Sequence, residues 1–393
     1  MLVAQTINGM SVSLMHHDWS FRKLDAWRRR TRFICPACQG TVILRLGDKK
    51  RWHFAHKNNA SCSAQAEHET SNHILGKRVL HRWLKAQLYH PQLEHYLPQI
   101  KQRPDCYTEK TEPPLAIEFQ CSTIPARDVM QRTQGYRSIK VLPLWILARE
   151  RLKRVMTNIY QITGTDIATL QLSTQSSLVY FDPHERQFLL LHDIIPLTAT
   201  RFYAQALTWP IQATPLSRLY EVPERHEKAL TTAVLQQKKR LRTNQIPPQT
   251  PDERYVQQML ALRGYSLYSF PDFAGLPSAR FLPIQTPAYL WQIWLIVQFL
   301  LHKRGDTFHK NNILQRFHRL IQKGVFRLRE TTYPMNGVNK AISHYLFLLT
   351  ERGLLSQSQD QYQVISDIKW RNMTLDEALE CDISCLKRLV MIL

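Results

Sequence analysis

The sequence predicts an α+β protein of several domains, and three features of its 393 residues lead to this prediction. Residues 1–63 combine closely spaced cysteines and histidines with short apolar runs. Residues 64–150 follow the order strand, strand, helix, strand, and residues 251–393 are mainly helical, with a mixed α/β region at 151–250 between them. A chain of this length is expected to form about two to four domains, each with its own core.

The module at residues 1–63 contains a cluster of candidate Zn²⁺ ligands. Two thiols share a Cys-x-x-Cys turn, and two imidazoles and a third thiol follow a predicted hairpin. This combination is typical of a structural, tetrahedral zinc site, so the module is predicted to be zinc-finger-like. The cysteines are the expected ligands and either histidine is the fourth, which leaves five candidates: Cys35, Cys38, His53, His56 and Cys62.

The alternatives to zinc are a redox-active Cys-x-x-Cys and unligated cysteines. A thioredoxin-like motif opens a helix after a buried strand, whereas a strand-like stretch follows Cys38. A base-reading C₂H₂ finger is disfavoured because no long helix carries the histidines. The other cysteines suggest no disulfide framework, which fits a reducing, cytoplasmic location; they are Cys106, Cys121, Cys381 and Cys385.

An apolar run at residues 115–122, bounded by prolines, predicts a strand with two polar side chains on one face. Glu118 and Gln120 share that face because side chains alternate along a strand. Asp105 is expected to end a preceding strand, joined to this one by the polar connection 108–112, so that the two acids meet. Carboxylates are hard ligands for Mg²⁺ or Mn²⁺, and such an ion can hold a phosphate and activate water. The pattern therefore predicts a nuclease site of the PD-(D/E)xK type.

A simpler interpretation makes Asp105 a turn residue and Glu118 a strand acid paired with an arginine. The elements that follow favour the nuclease. Residues 126–136 have a helical composition and residues 141–147 form another apolar run, which completes the order strand, strand, helix, strand of that nuclease core.

Six motifs together resemble the competence protein CoiA family over residues 1–150, and more weakly through the tail: Cys35-Pro-x-Cys38, His53-Phe-Ala-His56, Glu69-x-x-x-His73-x-x-x-Lys77, Arg103-Pro-Asp105, Ala116-Ile-Glu-Phe-Gln-Cys-Ser122 and Trp145-Ile-Leu147. Members of that family are associated with natural transformation in Gram-positive bacteria. They are implied to act in the cytoplasm on incoming single-stranded DNA during recombination. The resemblance implies a restriction-endonuclease-like domain behind a zinc-finger-like module.

The resemblance also implies roles for single residues. Asp105 and Glu118 match the acids that bind Mg²⁺ or Mn²⁺, and Gln120 stands where the motif usually has its lysine. A neutral amide can orient water but cannot neutralise charge, and the loss of one such electrostatic donor costs roughly 10² to 10³ in rate. A lysine from another element, such as Lys77 or Lys140, is a candidate replacement.

Glu69 matches a helix acid that contributes to the metal shell in such folds. It belongs to a helix predicted over residues 64–89, where its i, i+4 spacing places it on one face with His73 and Lys77. The alternative is a solvated helix face with an ordinary ion pair.

A net charge of +21 and a pI of about 9.8 indicate an anionic partner. DNA, single-stranded or branched, is favoured over an acidic membrane surface because basic residues recur in the runs 28–32, 49–51 and 238–242. Neither a signal peptide nor a membrane span is expected. The predicted nucleic-acid-binding residues are Lys77, Arg132, Lys238, Lys239 and Arg240.

The rest of the chain includes a long basic helix at 217–243. At 288–365, three apolar helices precede a two-stranded hairpin, which predicts a winged-helix-like module, with a helical bundle plus a hairpin as the alternative. Winged helices bind DNA or proteins, so this module is a candidate contact for either.

Two functional hypotheses follow from these patterns. The first is a Mg²⁺-dependent nuclease that acts on DNA during natural transformation and homologous recombination. The second is a non-catalytic mediator that keeps the nuclease fold as a scaffold and assists a RecA-like recombinase. Substitution of Asp105 or Glu118 abolishes cleavage in the first case, and there is no cleavage to abolish in the second.

Overall fold

The structure is a computed structural model that describes residues 1–14, 19–47, 52–57, 62, 70–170, 177–221, 223, 227–243, 247–301, 304–330, 336–367, 370 and 373–389. The chain divides into two compact units. The first consists of residues 1–152, 168–191 and 206–222, and the second of residues 153–167, 192–205 and 223–393.

Both helices and strands are numerous in the described residues. The α-helices are α1 (Phe21–Arg30), α2 (Ser71–Ala86), α3 (Ala126–Ser138), α4 (Gly164–Ala168), α5 (Glu227–Thr243), α6 (Pro251–Ala261), α7 (Ala288–Leu295), α8 (Lys310–Gln322), α9 (Asn336–Glu351) and α10 (Leu375–Leu389). The strands are β1 (Val3–Thr6), β2 (Ser11–Ser13), β3 (Phe33–Ile34), β4 (Thr41–Arg45), β5 (His53–His56), β6 (Gln92–Leu93), β7 (Cys106–Thr108), β8 (Leu115–Gln120), β9 (Leu142–Ala148), β10 (Lys153–Met156), β11 (Ile159–Gln161), β12 (Leu178–Asp182), β13 (Gln187–Pro196), β14 (Arg201–Pro210), β15 (Thr307–His309), β16 (Leu355–Ser358) and β17 (Gln361–Val364). The predicted α+β class is confirmed.

The first unit begins with an antiparallel sheet in the order β2-β1-β3-β4-β5. Its core includes Leu24 of α1 together with Phe33 and Phe54 from the sheet, all of them buried. The β4-β5 hairpin is the one that the sequence predicts between the first two cysteines and the histidines.

A second sheet carries the candidate acids, and its strands β6, β7, β8 and β9 lie in the first unit. Its strands β6, β7 and β8 are antiparallel neighbours, and β9 lies parallel to β8. The helix α3 connects β8 to β9, so β7, β8, α3 and β9 reproduce the order predicted from the sequence. All six residues of β8 are buried, which explains why its pattern is a continuous apolar run interrupted only by Glu118 and Gln120.

The helix predicted over residues 64–89 begins later than expected. Thr70 is its N-cap, with an extended backbone and a hydroxyl that accepts the backbone N–H of His73, so α2 starts at Ser71. Glu69 therefore precedes the cap, and it lies outside the described residues.

The second unit is mainly helical. Its core is rich in aromatic side chains, among them Trp291 and Trp294 of α7, Phe317 of α8 and Tyr345 of α9. The helix α7 continues as a π-helical turn, Ile296–Leu300. The region predicted to be winged-helix-like contains α7, α8, α9 and the hairpin β16-β17, to which β15 adds a third strand that was not expected.

No helix in the described ranges combines the length and the apolar composition needed to cross a membrane.

Candidate active site and candidate metal centre

Asp105 and Glu118 come together through the pairing of β7 with β8. Cys106 lies opposite Ile117 in the antiparallel register, and this register places Asp105 opposite Glu118. The backbone N–H of Phe119 donates to Oδ2 of Asp105 over 2.8 Å. Asp105 does not end a strand, as the sequence suggested, but immediately precedes the first residue of β7.

The helix α2 supplies two cationic or polar partners to Asp105. Nε2 of His73 lies 3.1 Å from Oδ2, and Nζ of Lys77 lies 3.7 Å from Oδ1. The two side chains share one helix face because they are four residues apart. Burial alone would raise the pKa of Asp105, but His73 and Lys77 hold it well below its ordinary value. Asp105 is therefore an anion.

The close approach of α2 to β8 depends on Gly76. A Cβ atom at this position would overlap the ring of Phe119, so a side chain larger than hydrogen would push the helix off the strand. The glycine thus sets the distance from which His73 and Lys77 reach Asp105.

Lys77 has a second, stronger acidic partner that sequence reasoning missed. Its Nζ lies 2.6 Å from Oε1 of Glu94, and the lysine is only 1% exposed. The Glu94 carboxylate also accepts the backbone N–H groups of Leu2, at 2.9 Å, and Val3, at 3.2 Å. Burial would raise the pKa of Glu94, but the charge of Lys77 holds it well below its ordinary range. No local motif surrounds Glu94 in the sequence, so its role depends on long-range contacts.

Glu118 is held by two side chains of α3. The guanidinium group of Arg132 and the hydroxyl group of Tyr136, one turn apart on the helix, both donate to Oε1 of Glu118. Burial raises the pKa of Glu118 to about 7, against the opposing effect of Arg132. Arg132 was predicted to contact nucleic acid, but here it forms the ion pair that the simpler interpretation of Glu118 expected.

Gln120 lies on the same face of β8 as Glu118 and is buried. Its Nε2 donates to the carbonyl oxygen of Ser122 at 3.1 Å and is 3.4 Å from the Ser122 hydroxyl oxygen. The side chain is thus tethered to the chain just beyond the strand.

The donor set at this site fits a hard divalent cation held by few protein ligands. Mg²⁺ is commonly bound through one or two carboxylates, with water and phosphate oxygens completing the octahedron. Asp105 and Glu118 supply such a pair, and both bonds to Glu118 from α3 end on the same oxygen, Oε1. Within the described residues, three or more His, Cys, Asp or Glu side chains do not converge here, so most ligands of a cation would be water or substrate.

The zinc candidates of the N-terminal module do converge. The ligand atoms of Cys35, Cys38, His56 and Cys62 all lie within 4.8 Å of one another. The two thiol sulfurs of Cys35 and Cys62 are 4.0 Å apart, and Sγ of Cys38 is 3.3 Å from Nε2 of His56. In a tetrahedral site with Zn–S bonds of about 2.3 Å, ligand atoms are about 3.8 Å apart. The group can therefore hold a structural metal ion such as Zn²⁺.

The structure distinguishes between the two histidines. His53 and His56 are three residues apart on β5, and an odd spacing puts them on opposite faces of the strand. Only His56 belongs to the group of ligands found among the described residues. Burial and the positive charges of Arg103 and the N-terminus lower the pKa of His56, which keeps its ring in the neutral form that ligates metals.

Cys38 is the exposed member of this group. Burial raises its pKa, but the backbone N–H of Gly40 and the thiol groups of Cys62 and Cys35 outweigh this and lower it overall. A lowered pKa favours the thiolate, which is the form that binds metals.

Three of the predicted nucleic-acid-binding residues are committed to contacts inside the fold. Lys77 is paired with Glu94 and Arg132 with Glu118, as described above. Lys238 is 1% exposed, and its Nζ lies 2.9 Å from Oδ1 of Asp382. Lys77 and Lys238 are almost completely buried in these contacts, whereas Arg132 keeps 22% of its side chain exposed. The charge runs alone did not show that these basic residues pair with acids inside the fold.

The other two, Lys239 and Arg240, are exposed on α5. Consecutive residues of a helix point in different directions, so a run of basic residues has both buried and exposed members. The sequence run alone did not show that Lys238 is buried and that Lys239 and Arg240 are exposed.

Comparison with known proteins finds matches along most of the chain. The family model "Competence protein CoiA, N-terminal domain" matches residues 16–65, the "nuclease-like domain" of the same family matches residues 69–224, and its "C-terminal domain" matches residues 230–378. The Competence protein CoiA of Bacillus subtilis (strain 168) is 30% identical over 375 residues, which cover 91% of this chain and 96% of that protein. No solved structure matches the chain significantly.

Proposed function

Because the chain belongs to the CoiA family of competence proteins, we propose that it binds DNA and cleaves the phosphodiester backbone at Asp105 and Glu118. The observation that carries this proposal is the pairing of β7 with β8, which brings two carboxylates side by side next to a buried lysine. The substrate class is single-stranded or branched DNA taken up during natural transformation.

Asp105 and Glu118 would hold Mg²⁺ or Mn²⁺, which supplies charge stabilisation and a water of lowered pKa when bound. Asp105 remains ionised because His73 and Lys77 hold its pKa low, so it is ready to ligate a cation. Arg132 and Tyr136 orient the Glu118 carboxylate through Oε1, so Oε2 is the atom that would bind the cation.

Lys77 supports the proposal because it offers the positive charge that Gln120 lacks. In the PD-(D/E)xK pattern the lysine follows the second acid on the same strand, and here that position holds an amide. Nζ of Lys77 lies 3.7 Å from Asp105, so a cationic group reaches the acids from α2 instead. Within this proposal Lys77 adds positive charge beside Asp105 without contacting the DNA itself, and Gln120 orients the attacking water.

The remaining parts of the chain are assigned to DNA binding and structure. The exposed residues Lys239 and Arg240 are proposed to contact the DNA backbone, and the winged-helix-like region 288–365 to contact DNA or a protein partner. The four-ligand group of the N-terminal module is proposed to bind Zn²⁺ and to stabilise the module without chemistry of its own. The proposed location is the cytoplasm.

One observation favours a second candidate function. Both acids already have basic partners in the protein, Arg132 for Glu118 and Lys77 for Asp105, so neither needs a cation to be tolerated inside the fold. A scaffold that lost catalysis would keep such pairs. In this alternative the protein binds DNA and assists a RecA-like recombinase without cutting.

The test compares wild type with Asp105→Asn and Glu118→Gln on end-labelled single-stranded, duplex and branched DNA in Mg²⁺, Mn²⁺ or EDTA. Each variant keeps the size of the side chain and removes its charge. Cleavage is expected to need a metal and to fall by about 10² or more in both variants, because each removes a ligand of the cation. DNA affinity should change by less than about twofold.

Asp128→Asn is the matched control, because Asp128 is a half-exposed acid on α3 of the same unit. It should cleave like wild type. DNA binding without cleavage under every metal condition would reject the nuclease and support the mediator.

A further inference from the structure

A cavity of about 350 Å³ in the second unit combines basic, aromatic and amide side chains. It lies between the start of β14, the C-terminal end of α5 and the segment that leads into α6. Arg201, Gln237, Arg240, Tyr268 and Tyr289 are among the residues that line it. Its volume is in the range of about 300 to 1,000 Å³ that small-ligand sites occupy.

Two arginines share this cavity without an acidic partner. Neither guanidinium group of Arg201 or Arg240 forms an ion pair with an acid in the described part of the chain. Burial and repulsion from Arg240 lower the pKa of Arg201. Two like charges held together in a partly desolvated site cost free energy, and a bound anion would offset that cost.

On α5, Arg240 lines the cavity, whereas Lys238 and Lys239 of the same basic run do not. Gln237, Arg240 and Leu241 lie on one helix face, which lines the cavity. Lys238 points into the core toward Asp382, and Lys239 is exposed but does not line the cavity. The helix therefore directs only one of three consecutive basic residues to the site.

The cavity has one acidic lining residue, Glu253, whose carboxylate is engaged elsewhere. Its Oε2 accepts the backbone N–H groups of Gln249, at 2.8 Å, and Thr250, at 3.0 Å. This is the capping box of α6, so the carboxylate satisfies the helix N-terminus and leaves the arginines uncompensated.

We propose that this cavity binds the phosphate group of a nucleotide-sized ligand, with Arg201 and Arg240 on the phosphate and Tyr268 beside the base. Guanidinium groups match phosphate oxygens in a two-bonded fork, and aromatic rings stack on bases of any sequence. The phosphate belongs either to single-stranded DNA or to a free nucleotide. The site refines where DNA is contacted within the proposed function, but it needs no cleavage at Asp105 and Glu118.

The experiment measures the binding of three probes to the full chain in EDTA, so that cleavage has no influence on the result. The probes are inorganic phosphate, deoxyadenosine triphosphate and a labelled deoxythymidine oligonucleotide. Arg240→Gln is compared with Lys228→Gln, which removes the same charge from an exposed position of α5 outside the cavity. Arg240→Gln should weaken binding about tenfold, since it removes a charge-assisted pair, whereas Lys228→Gln should change it by less than about twofold.

The pattern of losses identifies the source of the phosphate. Loss of nucleotide binding by Arg240→Gln indicates a free nucleotide, and loss of oligonucleotide binding alone indicates the DNA backbone. Arg201→Lys keeps the charge of the half-buried residue and removes only the fork, so it should weaken the same probe without unfolding the protein. Equal affinities of the Arg240 and Lys228 variants for all three probes, or no binding of any probe to wild type, would overturn the proposal.

Discussion

Single residues of β5 decide which histidine can complete the candidate metal centre. His56 shares a strand face with the buried Phe54, and His53 lies on the other face. The sulfur atoms of Cys35 and Cys38 meet the His56 side of the strand. The matched pair of histidines therefore offers a test in which one substitution removes a ligand and the other does not.

His56→Gln is expected to lose bound Zn²⁺ at least about tenfold more readily to a chelator than wild type, because only three ligands remain. His53→Gln should retain zinc as wild type does. The measurement is the zinc content of the purified proteins, followed by a competition titration with a chromogenic chelator. Equal zinc retention by the two variants would assign the fourth ligand elsewhere.

His344 on α9 offers a test of a buried charge. Its Nε2 is buried without a hydrogen bond to any described residue, and its ring lies 5.9 Å from that of Phe281. Burial and repulsion from Arg280 lower the pKa of His344 to about 4. The ring is neutral in the folded protein, whereas an unfolded histidine titrates near 6.5.

Because the unfolded chain binds this proton and the folded protein does not, stability is lost as the pH falls from about 6.5 toward 4. Between about pH 7.5 and pH 5 the loss should be about 1 kcal/mol, after allowance for the exposed part of the ring. Urea unfolding at both pH values measures it, with His344→Gln as the comparison. If the variant loses as much stability as wild type over this range, His344 is not the group responsible.

At the level of elements, the contact between α2 and β8 organises the candidate site. Gly76 lets the helix approach the ring of Phe119, and from that distance His73 and Lys77 reach Asp105. The helix α3 covers β8 with a different set of side chains and delivers Arg132 to Glu118. Each acid thus depends on one helix for its partners.

Gly76→Ala should destabilise the protein by about 2 kcal/mol, because overpacking against Phe119 exceeds the gain in helix propensity. Chemical unfolding measures the change. Cleavage, where wild type shows it, should fall as well, since Lys77 moves with the helix.

Gly135→Ala on α3 is the matched control for that substitution. Its Cβ would meet only the amide end of Gln102, a flexible side chain that can turn away. This variant should be neutral or stabilised by up to about 1 kcal/mol. A Gly76→Ala protein as stable as the Gly135→Ala protein would show that α2 can retreat without cost.

For the whole molecule, the excess of 52 lysines and arginines over 31 acids favours binding to phosphate backbones. Part of that excess is internal. Lys77, Lys238 and Arg242 are buried and paired with acids, so the surface charge arises from other residues.

DNA affinity should fall steeply with salt because phosphate contacts release counterions. For single-stranded DNA with about four contacts, each contributing a slope of about −0.7, affinity should drop about 50-fold between about 50 and 200 mM salt. Fluorescence anisotropy with a labelled oligonucleotide measures this slope, and an oligonucleotide with an uncharged backbone is the control. Binding that is independent of salt would exclude a backbone-directed mode.

Much of the fold and part of the candidate site follow from local patterns. The strand at 115–120, the helix at 126–138 and the strand at 142–148 are visible because apolar runs and helical composition are properties of neighbouring residues. Cysteine and histidine spacing likewise identified the group that can hold a metal ion, except for the choice between His53 and His56. The start of α2 was misjudged because the cap at Thr70 depends on local geometry that composition does not reveal.

The sequence by itself determined the order of β7, β8, α3 and β9, the positions of the two acids of that segment and the three thiols that can hold a metal ion, all of which lie in short motifs. Only the tertiary structure decided the partners. Glu94 binds the backbone of Leu2, 92 residues away, and Lys238 binds Asp382, 144 residues away. The physical reason is that a buried charge is tolerated only where another element supplies its counter-charge, and the packing of distant elements selects that partner.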